Sequence, residues 1–176
     1  MQVSIPDALP DYLAPNLDIV FVGLNPGAFS ARRGHYYARP GNLFWPALYQ
    51  AGLVPAPLTC EEDARLPEFG LGLTDLVKRS SDRADQVSRA EWRAGGISLA
   101  RKLKRYRPRI VCFNGLHGYR LAFDPQARPG LQPAPIASAL AFIVPSTSGL
   151  NAGYSRAERI GWFRRLRELR DAALPE

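Results

Sequence analysis

Four strand-length apolar runs recur along the chain: "DIVFVGL" at 18–24, "FGLGLTDLV" at 69–77, "RIVCFNG" at 109–115 and "LAFIVPS" at 140–146. Each is rich in β-branched or aromatic residues and reads as a buried strand, the second least clearly because of its glycines. Helix-patterned segments lie between and after them. One begins near Asn42 and carries Phe44 and Leu48 ahead of the turn residue Gly52. Three others open on a hydroxyl residue followed three positions later by glutamate, the spacing with which two side chains satisfy each other's orphan backbone donors. These pairs are Thr59 with Glu62, Ser88 with Glu91, and Ser155 with Glu158. Behind the last two, Trp92, Leu99, Leu103 and Tyr106, then Ile160, Phe163, Leu166 and Leu169, fall on one helix face. Strand and helix in alternation predict a three-layer α/β/α sandwich around a short, mainly parallel sheet. With no repeat, low-complexity tract or linker, 1–176 is expected to be a single domain.

That topology places any ligand outside the carboxyl ends of the strands, where the loops converge. Those ends read "GLNPG", "LTDLV", "FNGLHG" and "VPSTSGL", so one rim of the sheet collects most of the unusual polar and glycine residues. A cleft at that rim is the expected site.

Charge points to the partner. The chain of 176 residues has 23 Lys and Arg against 16 Asp and Glu, a net charge of +7. Nearly all of the cations are arginine, whose planar fork suits bidentate contact with phosphate, so a polyanion is expected. Most charges in "RKLKRYRPR" and "RRLRELR" are expected on solvated helix faces. The start "MQVSIPDALPDYL" lacks a basic-then-apolar leader, and no apolar run reaches membrane length; a soluble, cytoplasmic protein with no membrane partner is expected. The two cysteines, Cys60 and Cys112, are too few for a four-cysteine metal or iron–sulfur site and read as free thiols.

"GLNPG", an aromatic twelve residues after its asparagine in "GHYYARPGNLFW", the continuation "RPGNLFWPALYQAGL", "AGG" at 94–96 and the late "VPSTSGL" occur in that order. Together they resemble the mismatch-specific uracil-DNA glycosylase and thymine-DNA glycosylase family, over about residues 18 to 170. The resemblance implies the α/β/α fold of uracil-DNA glycosylases. It also implies excision of uracil, or in some members thymine or damaged pyrimidines, from mispairs with guanine in double-stranded DNA. No metal or organic cofactor is implied, and a monomer suits an enzyme that scans DNA.

Breaking the bond between C1′ and a base builds positive charge on the sugar and negative charge on the departing base. The chemistry needs a flipped base, a placed water and donors for the leaving anion. By resemblance Asn25 is the catalytic position: its amide oxygen can hold a water but cannot take its proton. Tyr37 stands where the family stacks the extruded pyrimidine on phenylalanine, a contact worth about 1–3 kcal/mol per base. Neighbouring Tyr36 is the other aromatic able to stack. Backbone amides around Leu24 and Tyr37 would read the carbonyl edge of uracil, with Gly23 and Gly27 permitting close approach. Ser30 completes the base-facing set, and Arg32, Arg33, His35 and Arg39 crowd the adjoining segment. Asp75 departs from the relatives, which carry lysine or asparagine there. It either orients or deprotonates the water, or stabilises the sugar cation, or else caps a helical turn in "LVKRSSD".

In "VPSTSGLNA" the resemblance makes Leu150 the wedge that fills the hole left by the base. Gly149 would pair through its backbone with the widowed guanine, Ser146 would lie near the base, and Ser148 would donate to a phosphate. Asn151 and Ala152 stand where some relatives bring an arginine to the partner strand. Asn114 and Gly115, at the start of "NGLHG", would offer donors to an anion, while His117 reads as a surface histidine. Two other readings stay open: a glycosylase for another deaminated base such as hypoxanthine, and a non-catalytic nucleic-acid-binding α/β domain. No Walker pattern, G-x-G-x-x-G fingerprint or metal-ligand cluster speaks for a nucleotide site.

Overall fold

In the computed structural model, which describes residues 8–173, the four apolar runs form the strands β1 (Ile19–Gly23), β2 (Leu71–Asp75), β3 (Ile110–Asn114) and β5 (Leu140–Val144). The first seven residues of the stretch read for a leader lie outside the described residues. Strand order is β2-β1-β3-β5-β4, parallel except for β4 (Gly130–Leu131), which pairs antiparallel with β5 at the edge. The register aligns Ile19 with Leu71 and Ile110, and Ile110 with Leu140, so the strand ends finish nearly level.

Alternation along each strand sorts its side chains into two cores. Ile19, Phe21, Leu71, Leu73, Ile110, Cys112, Phe142 and Val144 face one layer, built from α2 (Phe44–Gln50) and α5 (Arg156–Ala173). Val20, Val22, Val111, Phe113, Ala141 and Ile143 face the other, built from α3 (Arg89–Tyr106) and α4 (Leu116–Ala122). Covering both faces is why the runs are apolar throughout rather than alternating. Phe21 meets Phe44 edge-on at 5.1 Å and Phe163 at 6.1 Å, so β1 is gripped by both helices of its layer. Each such fully buried side chain contributes about 1.5–3 kcal/mol. A Cβ on Gly95 would strike the carbonyl of Leu76, so α3 sits close under the loop that leaves β2.

The capping pairs start their elements as read. Glu91 N–H donates to Ser88 Oγ at 3.2 Å while Ser88 N–H donates to Glu91 Oε2 at 2.8 Å, and Ser155 and Glu158 repeat the exchange at 3.1 and 2.6 Å. The segment behind Thr59 differs in kind: Cys60–Phe69 is 3₁₀ rather than α-helical. Pro67 inside it cannot donate to an α-helical ladder, and Gly70, at φ 73°, ends it. The segment 76–83 after β2 contains no helical turn, so the helix that Asp75 was given to cap does not exist. A short helix not read from sequence, α1 (Ala28–Arg33), follows "GLNPG". Cys60 and Cys112 are free. Among the described residues no helix is long and apolar enough to cross a membrane.

Candidate active site

The chain leaves β1 for β2 on one side and then crosses back to place β3 on the other. The carboxyl ends of these strands therefore flank a switch point in the sheet order. A cleft of about 290 Å³ opens there. Of the residues expected at the site, Gly23, Leu24, Asn25, Gly27, Ser30, Tyr37, Asp75, Asn114, Ser146, Ser148 and Leu150 line it. Gly115, Gly149 and Asn151 do not.

Asn25 is oriented from a distant part of the chain. Its Nδ2 donates to Ser81 Oγ at 2.7 Å and to the Arg79 carbonyl at 3.2 Å. Ser81 is itself tied down, its N–H donating to the Pro26 carbonyl at 3.1 Å and its hydroxyl to the Arg83 carbonyl at 2.9 Å. With both amide hydrogens engaged, Asn25 keeps Oδ1, which accepts from no described residue, as its free hydrogen-bonding atom.

Asp75 ends β2 directly beside Gly23, the residue paired with it in register. The reason for glycine at 23 lies here. A Cβ would collide with Asp75 Oδ1 and stand 3.2 Å from Tyr37 Oη, so the glycine makes room for a carboxyl and a phenol over the strand end. Gly27 differs: its φ is −68° and a Cβ there would meet nothing within 4 Å, so no contact in the fold demands a glycine. Asp75 is only 5% exposed, and its Oδ2, like Tyr37 Oη, is buried without a hydrogen-bond partner among the described residues. Burial pushes the Asp75 pKa up to about 7. The Lys78 and Lys102 ammoniums and the Tyr36 hydroxyl pull against that rise, and Asp11 adds to it. Burial, and then the nearby Asp75 charge, push the Tyr37 phenol well above its usual range, so it stays a proton-bearing donor.

Tyr37 occupies the left-handed region at φ 51°, unusual for an aromatic residue, and packs on Phe44 with ring centres 4.2 Å apart. Tyr36 cannot replace it as a stacking surface: the ring is 1% exposed and lies edge-on to Tyr12 in the core. The turn is held by buried Asp63, whose Oδ2 accepts from Tyr36 N–H at 3.0 Å and whose Oδ1 lies 3.2 Å from His35 Nδ1. Of the basic cluster expected around it, only Arg39 lines the cleft. His35 faces Asp63, Arg33 pairs with Glu61 at 3.1 Å, and Arg32 is exposed outside the cleft. Ser30 Oγ accepts from Ala38 N–H at 3.2 Å, closing α1 onto the same turn.

The loop after β5 is anchored by a residue the sequence reading passed over. Thr147, 1% exposed, receives Asn114 Nδ2 on Oγ1 at 2.8 Å and gives its own N–H to Asn114 Oδ1 at 3.0 Å. Its carbonyl accepts from Leu43 N–H at 2.9 Å, at the head of α2. Asn114 is thus a clamp between β3 and the loop that keeps one Nδ2 hydrogen beyond the bond to Thr147, whereas Gly115 N–H is spent on the Val144 carbonyl at 2.9 Å. Asn151 likewise turns inward: Nδ2 donates to the Ser146 carbonyl at 2.9 Å and Oδ1 accepts from Gly153 N–H at 3.0 Å. Ser148 Oγ accepts from Leu150 N–H at 3.2 Å and keeps its own hydrogen to donate. Gly149 rides over the backbone of Gly41, and Leu150, 77% exposed, projects from this braced loop at the edge of the cleft.

Ser81 and Thr147 were invisible to the sequence because each acts on a residue far along the chain, and neither sits in a pattern with a local period. His117 lies exposed against Trp92, edge-on at 5.9 Å, as the sequence suggested.

The sequence profile of the Uracil DNA glycosylase superfamily matches residues 10–169. Among solved structures, the fold is similar to the solution NMR structure of a candidate uracil DNA glycosylase from Methanosarcina acetivorans. The TM-score is 0.61 and the identity 24%, over 91% of this chain and 97% of that one. The profile spans nearly the whole chain, its strand-end cleft included, and this chain belongs to the uracil DNA glycosylase superfamily.

Proposed function

We propose that this protein is a monofunctional DNA glycosylase of base excision repair that everts uracil from G mispairs in double-stranded DNA and hydrolyses its N-glycosidic bond, acting as a monomer. The observation that carries the reading is the single cleft shared by Asn25, Asp75 and Tyr37 and edged by Leu150. Its volume, about 290 Å³, lies at the small end of ligand sites, roughly 300–1,000 Å³, as suits one base and a water.

The steps follow from the chemistry of each group. Leu150 enters the stack as the pyrimidine leaves, which is why an apolar side chain stands exposed on a braced loop. The everted base lies on Tyr37, whose backbone N–H can donate to a base carbonyl. Asn25 Oδ1, left free by the Ser81 bond, holds the attacking water. As the water oxygen bonds to C1′, the C1′–N1 bond breaks and its electron pair departs with the uracil. The water's proton passes to Asp75, whose pKa of about 7 suits a base working near neutrality. Ionised Asp75 also sets a negative charge beside the cationic sugar.

The test uses purified chain with a chelator and duplexes carrying U·G, U·A, T·G or hypoxanthine, read by alkali-labile strand scission. Release from U·G ahead of U·A is expected. Asn25→Ala should slow single-turnover excision by about 10²–10³-fold. Retarded DNA with no base released would refute the enzymatic reading.

A further inference from the structure

Beside the Asp75 end of the cleft lies a charged cluster to which the steps above give no role. Asp11 Oδ1 accepts from Thr74 Oγ1 and from Lys78 Nζ, each at 2.7 Å, and its Oδ2 pairs with Lys102 Nζ at 2.6 Å. Lys102 Nζ also lies 3.3 Å from Thr74 Oγ1, tying α3 to β2. Lys78 Nζ makes a second donation, to Tyr36 Oη at 3.2 Å, and sits 5.8 Å from the centre of that ring. Tyr36 and Asp75 both line the cleft; Asp11 and Lys78 do not.

An ammonium has donors only, so Lys78 occupies a lone pair of Tyr36 Oη and the hydroxyl hydrogen has to point elsewhere. Asp75, which lines the same cleft as Tyr36, is the carboxyl whose charged form that hydroxyl favours. The charged and titratable groups around Asp75 are Tyr37 above the strand end, Tyr36 and Lys78 on one flank, and behind them Asp11 with Lys102 of α3. Two ammoniums against one carboxylate leave this flank with a net positive charge, a field that favours the charged form of the carboxylate buried over Gly23. A chain of hydrogen bonds in a low-dielectric site transmits such a charge more strongly than the same groups would in water.

We propose that Lys78 is a positioning residue for base excision: clamped by Asp11 and seated on Tyr36 Oη, it turns the Tyr36 O–H toward Asp75 and favours the charged form of that carboxyl. The proposal rests on the reading of Asp75 as the group that takes the proton of the attacking water. A purely structural Lys78 would support the fold to the same extent at every pH. A positioning Lys78 moves the pH at which the enzyme gains activity.

The experiment measures single-turnover excision from a U·G duplex, at saturating enzyme, against pH for the wild type, Lys78→Met, Lys78→Arg, Tyr36→Phe and Asp75→Asn. In Lys78→Met the rising limb should move about one unit to higher pH. The rate then falls about tenfold below the midpoint and stays within about twofold at the alkaline plateau. Tyr36→Phe should shift the limb in the same direction, and Lys78→Arg should return it to the wild-type position. The limb position does not depend on how much of a variant is folded, so partial loss of Lys78→Met to misfolding does not blur the readout. If Asp75→Asn abolishes the limb while Lys78→Met leaves it unmoved, or lowers the rate equally at all pH values, the proposal is overturned alone. If Asp75→Asn keeps the wild-type limb, the reading of Asp75 falls and takes this inference with it.

Discussion

Replacing Asp75 by asparagine should make the protein more stable at alkaline pH, and the size of the gain follows from where the carboxyl sits. Its pKa rises from an ordinary 3.8 to about 7 on folding, chiefly by burial. The native state therefore holds the proton more tightly than the unfolded chain, and stability falls as pH rises through that window. A shift of about 3 units at about 1.4 kcal/mol each makes the full cost about 4 kcal/mol above pH 8, of which about 3 kcal/mol accrues between pH 5 and pH 8. Asparagine keeps the shape and has no proton to lose, so that slope should vanish. Denaturant unfolding of both proteins at pH 5 and pH 8 gives a double difference in which every other titrating group cancels. A wild-type protein that loses about 3 kcal/mol more than Asp75→Asn across that interval supports the argument. Parallel pH dependences, within about 0.5 kcal/mol, would mean that the carboxyl is solvated in solution and that the base proposed for the reaction is not poised near neutrality.

Gly23→Ala should disable the site more than the fold: the new methyl displaces Asp75 Oδ1 and crowds Tyr37 Oη, so excision should fall by about 10²-fold, and a wild-type single-turnover rate would contradict it. Leu150→Ala should leave unfolding within about 0.5 kcal/mol of wild type because the side chain is exposed. The same variant should slow excision from duplex roughly tenfold while sparing a single-stranded substrate, which has no stack to refill. Thr147→Val removes the acceptor for buried Asn114 Nδ2 and should cost about 1–3 kcal/mol in denaturant unfolding, with a looser loop at the edge of the cleft.

The sheet was legible because buried parallel strands announce themselves as short runs of β-branched and aromatic residues, and the two long helices because Ser88 with Glu91 and Ser155 with Glu158 carry their own start signal. Where the local signal was weaker, tertiary geometry decided. Thr59 and Glu62 open a 3₁₀ segment rather than an α-helix, and "LVKRSSD" stays non-helical while Leu76 and Val77 bond the strand-one loop, Leu76 N–H to Gly23 O at 2.8 Å and Val77 N–H to Leu24 O at 2.9 Å. The two-residue β4 has no pattern to read. For the site, the carboxyl-end rule brought Asn25, Asp75 and Leu150 to one rim, yet it could not tell a side chain that faces the cleft from one that braces it. Asn151 has the same chemistry as Asn25 and turns it inward onto Ser146 and Gly153, while Asn114 lines the cleft and braces Thr147 at once. Nor could it find Ser81, 56 residues from the asparagine it orients.

The departures from ordinary protein construction are the stronger guide to that rim. Tyr37 sits at positive φ, Asp75 and Tyr37 bury polar atoms without partners, and Leu150 stands in solvent. Each of the first two kinds of departure costs about 1–3 kcal/mol. The sheet beneath can carry them because β1, β2 and β3 are buried along their whole length and gripped from both layers. Departures of each kind occur elsewhere as well: Asn16, Arg107 and Ala137 also sit at positive φ, Arg159 Nε is also buried without a partner among the described residues, and Ile97 is 59% exposed. At Tyr37, Asp75 and Leu150 the three kinds come together on one cleft of about 290 Å³, with Asp75 and Tyr37 separated only by the missing side chain of Gly23. A polar substrate entering that cleft is what can supply hydrogen-bond partners to Asp75 and Tyr37, and a DNA stack is what can cover Leu150. The same ligand thus relieves each departure, which is the physical reason to read them as parts of one device for taking a base out of DNA.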